Sequence, residues 1–353
     1  MRPITHEPHF STLTQIVRRR VLPTAGELLV HKGDRVTPKD TVARCSLPGQ
    51  MRVIDVASAL GVATAKAARQ MQVSVGDHVE TGDLLAKPSL LNWPREQVVA
   101  PFDGTVQDVG DGYIFLRQDP QPHALDAYVP GEVVETYPHR GVSIRTTGAY
   151  VRGVWGRGGE GQGVLVVTAQ DTAESLGWEQ VSLRYRGAIL VGGVLQDPRV
   201  LFRAQHFRLG GLIVGSISAD VKKICEAIDI PLVVTEGVGR IPMAEPIFYT
   251  LRTYHGRPAV ISGTPDEEKD PEVIVPLLAD KEPPTSVGTA RPLEAGTRVR
   301  LTRSPYRGLL GEIVSLAESP RETSIGTRIE GAVVELPSGR RVFVPYVNME
   351  LLG

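Results

Sequence analysis

One phrase is said twice in this chain, and it limits the fold more than anything else in the sequence. Residues 30–43 read VHKGDRVTPKDTVA and residues 73–86 read VSVGDHVETGDLLA. They align without a gap: Val30 with Val73, Gly33 with Gly76, Asp34 with Asp77, Val36 with Val79, Asp40 with Asp83 and Ala43 with Ala86. In each copy a Gly-Asp turn joins two short apolar runs, a hairpin signal. Repetition of this kind marks one supersecondary unit used twice. It predicts a small all-β module built by duplication, and it names no reaction.

Composition fills in the frame. A chain of 353 residues suggests two or three domains. Lys and Arg number 39 against 40 Asp and Glu, so no global field draws the protein to nucleic acid or membrane, and any such contact needs a local patch. Frequent glycine (37) and proline (27) with few aromatics favour short strands and turns over long helices. Two cysteines, Cys45 and Cys225, fall in different predicted domains, which argues against a disulfide scaffold, and no CxxC offers a zinc site. The N-terminal MRPITHEPHFSTL lacks an apolar signal core, and no run approaches the roughly 20 apolar residues of a membrane span. A cytoplasmic protein with no membrane insertion is the expectation.

Residues 1–20 are expected to form an extension whose Arg18-Arg19-Arg20 cluster is a solvated basic face. Residues 21–150 contain the repeats, interrupted at 47–72 by a helical insertion with Val56, Leu60, Ala63, Ala67 and Met71 at helical spacing. Three arms also look alike: Gly26-Glu27-Leu28, Gly104-Thr105-Val106 and Gly131-Glu132-Val133. Glycine ahead of a strand lets two backbones approach closely. The pair GDHVETGDLLA and APFDGTV resembles a barrel-sandwich hybrid, the fold of biotinyl and lipoyl domains and of related RnfC-type modules. That resemblance implies a carrier lysine on a hairpin tip. The only lysine between Ala86 and Ala100, Lys87, precedes a proline and lacks a Met-Lys-Met setting, so no biotin, lipoate or other cofactor is expected.

Residues 151–263 change period. The glycines at 156, 158, 159, 161 and 163 lack the Gly-Lys-Ser/Thr of a phosphate loop and read as a hinge or tight turn. Apolar runs at 164–168, 187–193, 210–216, 230–237 and 258–263 alternate with helical stretches, one of them capped by Ser218. This pattern predicts a parallel sheet covered by helices. The layout is similar to swivelling phosphohistidine-type domains, but their catalytic histidine has no counterpart, and His206 reads as a surface or packed residue. Ligands in such sheets bind beyond the carboxyl ends of the strands. The candidates there are Gly193, Ser216, Thr235, Glu236 and Gly237, weighed against their being turn residues. No catalytic constellation and no metal ligand set converge, and an enzyme is not the favoured reading.

Residues 264–292 are rich in proline and charge and read as a linker, with 273–278 able to pair with a neighbouring sheet. In residues 293–353, Gly296, Val299, Arg300, Pro305, Tyr306, Gly308, Gly311 and Val314 follow the KOW pattern. The segment resembles a NusG-type KOW domain, a small SH3-like barrel. That implies RNA, ribosome or polymerase contact through Arg298, Arg300, Arg303, Tyr306 and Arg307, where arginines meet phosphate and the tyrosine stacks a base. The fold expected overall is multidomain α+β: barrel-sandwich module, α/β domain, SH3-like barrel. The leading functional expectation is a self-associating, non-enzymatic scaffold. The alternatives are a nucleic-acid accessory factor acting through the KOW face and a small-molecule site at the α/β strand ends.

Overall fold

In the computed structural model the described residues are 5–6, 10–87, 97–263, 270–277, 286–287, 291–301, 306, 309–317, 319–322 and 328–351. The protein is β-rich, with a large mixed sheet and a curled C-terminal half-barrel. Among the described residues no helix is long and apolar enough to cross a membrane.

The repeated phrase makes four equivalent turns. Asp34 accepts the amide of His31 at 2.7 Å, Asp40 that of Thr37 at 2.7 Å, Asp77 that of Ser74 at 2.8 Å and Asp83 that of Glu80 at 2.8 Å. A carboxylate that ties its own turn explains why aspartate recurs at these places. The copies also pair alike. Val36 stands opposite Gly131 on one strand, and Val79 opposite Gly104 on another, both antiparallel. At Gly26, Gly104 and Gly131 a Cβ would run into the carbonyl oxygens of Arg44, Arg117 and Arg145, so all three arms require glycine for the same close approach.

The insertion is only partly helical. Met51–Asp55 is a strand paired with Tyr113–Gln118, and the helices are the short Val56–Leu60 and Thr64–Ala67. The apolar spacing that signals a helix begins only at Val56, where Asp55 caps the turn by accepting the Ser58 amide at 2.8 Å. Nearby, His78 hydrogen-bonds Asp119 at 2.8 Å, and this bond raises the imidazole's affinity for its proton. The raised folded pKa means the pair stabilises the fold below about pH 6.5, the free imidazole value. The contribution is lost as pH rises through the folded pKa. An NMR titration should show a His78 midpoint above that of a free imidazole, and Asp119→Asn should return it.

The expectation of a self-contained parallel sheet needs correction. Glu160–Val167, Ile189–Leu195, Gly211–Ile217 and Leu232–Val238 are parallel neighbours in chain order. The fifth apolar run, Pro258–Ser262, is antiparallel to the first. The sheet then continues through Glu272–Pro276, Gly141–Arg152 and Gly131–Tyr137 without a break. A boundary at residue 150 therefore falls inside the strand Gly141–Arg152. That strand also pairs along its length with Phe10–Val21, so the N-terminal extension belongs to the sheet.

The arginine cluster at 18–20 is consequently not a solvated face. Strand alternation turns Arg18 and Arg20 inward, where they pair with Glu272 and Glu160, while the Arg19 guanidinium lies 4.7 Å from the Tyr137 ring centroid. The glycine-rich stretch is not a hinge either. Trp155–Arg157 pairs with Leu232–Val238, and a tight turn at Gly158-Gly159 leads into Glu160–Val167. Glycine at 161 and 163 lets that strand pass close to the carbonyls of Gly210 and Gly187.

Each face of the parallel strands carries its own core. Leu190, Leu212, Val214, Val221 and Leu232 pack on one side, and Ile189, Ile213, Val233, Phe248 and Leu251 on the other. Ser218 caps its helix as the sequence predicts, accepting the Val221 amide at 3.2 Å. Cys225 lies in the first core at 3% exposure, and burial pushes its thiol up to about 11. At pH 8 the smaller thiolate fraction alone should slow alkylation roughly a hundredfold relative to unfolded protein. Timed iodoacetamide labelling followed by peptide mass mapping checks this.

The half-barrel is five strands in the order Arg341–Pro345, Gly331–Glu335, Leu310–Leu316, Arg298–Leu301 and Met349–Leu351. Val299, Leu301, Ile313, Val334 and Val344 fill it.

Candidate functional site

The site lies where the strand Leu232–Val238 ends. Its register against Gly211–Ile217 slips between Val214–Val234 and Ser216–Gly237, so Thr235 and Glu236 together oppose one residue, Gly215. This is a β-bulge. Regular alternation would send two successive side chains to opposite faces. With the bulge, both Thr235 and Glu236 line one cavity of about 620 Å³. Gly237, at φ +117°, takes the backbone conformation that lets the chain leave the bulge.

From there the chain folds back over the strand ends. Gly239 donates its amide to Ile217 O at 2.8 Å, and Met243 donates to Thr172 O at 3.0 Å. Ser216 is the peg between them. Its hydroxyl donates to Ile241 O at 2.7 Å and accepts the Ile241 amide at 2.9 Å. Ser216 is therefore a structural clamp, not a ligand hydroxyl. Gly193 is likewise taken up by packing: a Cβ there would press on the carbonyl oxygens of Thr172 and Glu174. The protein's own loops close the ends of the central strands, and the opening that remains is at Thr235 and Glu236.

Glu236 is held from two directions. Its Oε1 accepts the Ala244 amide at 3.0 Å, just ahead of the helix Glu245–Thr253, where the helix dipole favours a negative charge. Arg300, from the half-barrel, donates through Nη1 to both carboxylate oxygens at 2.9 and 3.0 Å. Both side chains are nearly sealed, at 7% and 11% exposure. Thr235 is the opposite case. It is fully buried, and its Oγ1 has no hydrogen-bond partner. Buried hydroxyls are normally paired, so an orphan beside a cavity is the kind of group a ligand completes.

The remaining walls include Val154, Ile241, Pro242, Met243, Leu301 and Leu310. Leu301 and Leu310 come from the half-barrel, so the cavity is shared between the parallel sheet and that unit.

Arg300 was expected to face nucleic acid, and the structure overturns this: the guanidinium is spent on Glu236, 64 residues away in sequence. Arg298 and Arg300 share one face of the strand Arg298–Leu301, and along that face Arg300 is covered while Arg298 is left exposed. Arg298 stands opposite Glu312, and Glu335 and Arg341 share its groove, so the surface around it is of mixed charge. Tyr306 is half-buried against the barrel core. Arg303 and Arg307 lie outside the described residues. Lys87 directly follows the strand Leu84–Ala86, with its amide on Gln70 O at 3.2 Å, away from the Gly82 turn. Among the described residues no three His, Cys, Asp or Glu side chains converge to hold a metal ion.

Of the five strand-end candidates, Thr235 and Glu236 meet at the cavity, Gly237 shapes the backbone beside them, and Ser216 and Gly193 serve the loops. Sequence reasoning missed Arg300's role here because no local pattern links a barrel strand to a sheet end. Comparison with family models and with curated proteins finds no match.

Proposed function

We propose that this protein is a non-enzymatic binding protein that takes a small molecule between the end of its parallel sheet and its C-terminal half-barrel. The observation that carries the reading is the orphan Thr235 hydroxyl, buried at the wall of a 620 Å³ cavity. Ligand sites are concave, mostly apolar, and supplied with a few placed polar groups, at volumes of roughly 300–1,000 Å³. Among the described lining residues no nucleophile–base pair accompanies Thr235, which favours binding over catalysis. We read the half-barrel as a KOW-type, SH3-like unit and the N-terminal module as a barrel-sandwich hybrid, both on the sequence motifs. In this reading the KOW-type unit works as the wall of a pocket. A thermal-shift screen of a metabolite library tests it. A true ligand at 100 times its dissociation constant adds about 2.7 kcal/mol of stability, and Thr235→Val should reduce the shift. Hits that shift the wild type and Thr235→Val equally would refute this site.

A second reading, self-assembly, is favoured by one surface. Met51 and Val53 are exposed on one face of a strand, and Val53 and Asp55 stand opposite Phe115 and Tyr113 on the next. A second copy packing on this apolar strip would make the protein a scaffold, consistent with a net charge near zero. Light scattering over a hundredfold concentration range decides. A constant 38.2 kDa mass refutes assembly.

A further inference from the structure

We infer that a surface of arginines and aromatic rings over one face of the parallel sheet binds single-stranded nucleic acid, a role independent of the cavity at Thr235. Two stretches build it, both wholly within the described residues: 178–187, and the helix Arg199–His206 with Phe207 and Arg208 after it. Two hydrogen bonds hold them together. Arg203 donates through Nε to Val181 O at 3.0 Å, and the Gly187 amide donates to Arg208 O at 2.9 Å. Residues 177–208 carry five arginines and no lysine against two acids, Glu179 and Asp197. Asp197 is taken by Arg199 at 2.6 Å. Among the described residues, none of Arg184, Arg186, Arg203 and Arg208 forms an ion pair. With the whole chain near neutrality, a polyanion needs a local patch, and these four guanidinium groups supply one.

The rings select the kind of polyanion. The guanidinium groups of Arg199 and Arg203 lie 5.1 and 5.0 Å from the Trp178 ring centroid, and that of Arg184 lies 4.5 Å from the Tyr185 centroid. Trp178, Tyr185 and Phe207 are themselves packed on the core beneath. Flat side chains held over anchored rings lose little further freedom when they meet a phosphate. Arginine also binds phosphate through two N–H groups at once, which lysine does not. Phe202 has a different part. Helical spacing sets it beside Arg199, Arg203 and His206 on the outward face, and it is 54% exposed. Its ring offers a flat apolar surface to an unstacked base. A duplex would bring phosphates but keep its bases away from that ring. A membrane would need a broad apolar face, and here one phenylalanine stands among two arginines and a histidine.

The test uses the full chain and fluorescein-labelled oligouridylate RNA and oligothymidylate DNA of about 15 nucleotides. Anisotropy gives the affinity as NaCl rises from about 50 to about 200 mM. Four arginine–phosphate contacts predict a log–log salt slope of about −3, a roughly fiftyfold loss over that range. The triple variant Arg184→Ala, Arg186→Ala, Arg208→Ala should bind at least about tenfold more weakly, with a slope of about −1. Phe202→Ala should weaken binding about tenfold and leave the slope unchanged, because stacking releases no counterions. All four side chains are exposed, and circular dichroism first shows that the variants are folded. Binding of either strand with both losses supports the inference, and the tighter strand tells RNA from DNA. No binding of either strand at up to about 100 µM protein overturns it. So does sedimentation with phosphatidylserine vesicles when neither strand binds, which would make the patch a membrane surface. A loss in the triple variant with none in Phe202→Ala would mean a general polyanion surface and overturn strand recognition. If Arg298→Ala weakens binding while the triple variant does not, the half-barrel is the nucleic-acid face and the inference fails.

Discussion

Replacing Arg300 with leucine should destabilise the folded protein by about 3–5 kcal/mol, the cost of leaving one member of a buried ion pair without its partner. Glu236 is 11% exposed and cannot recover full hydration once the guanidinium is gone. It keeps the Ala244 amide, which holds part of the charge and sets the loss towards the lower end. Glu236→Gln should cost less than its partner's loss, because the amide preserves shape and Arg300 can still donate to its oxygen. The double variant is the informative one. With neither charge buried, it should recover a large part of what Arg300→Leu loses. Urea unfolding of the wild type, both single variants and the double variant closes the cycle. A coupling energy below about 0.5 kcal/mol, the scatter expected of independent sites, would mean that the two side chains do not meet as described. The pair also ties the half-barrel to the sheet, so Arg300→Leu should raise hydrogen exchange in the strand Arg298–Leu301 before it affects the sheet.

Thr235→Val should make the protein more stable while weakening ligand binding. An unsatisfied buried hydroxyl costs roughly 1–3 kcal/mol, and valine replaces it with a methyl of nearly the same volume. Valine also suits a strand. A gain of about 1 kcal/mol is expected in urea unfolding. A residue that costs the unliganded protein stability is characteristic of function rather than folding. Thr250 supplies the contrast. Its hydroxyl donates to Pro246 O at 2.7 Å within the helix Glu245–Thr253, so Thr250→Val should not stabilise. A loss of stability in Thr235→Val would show that the hydroxyl has a partner, and would remove the basis for the site.

Much of this could be read locally. The four aspartate-closed turns and the Ser218 cap depend on interactions within a few residues, the close-approach glycines at 26, 104 and 131 stand out as one recurring Gly-led phrase, and the four parallel strands follow from strand–helix alternation, so all of these could be read without the fold. Thr235 and Glu236 were legible as a strand end beside two glycines. Three things were not legible, and each depends on contacts far apart in the chain. The arginines at 18–20 look solvated until strand alternation meets Glu160 and Glu272, 140 and 254 residues away. The direction of Pro258–Ser262 is unreadable because an apolar run buried in a sheet looks the same whether its neighbour is parallel or antiparallel. Arg300 reads as a nucleic-acid contact because a lone arginine carries no mark of its partner. Only the tertiary structure decided that it turns inward to a buried carboxylate, since the desolvation of both charges is tolerable only when they meet.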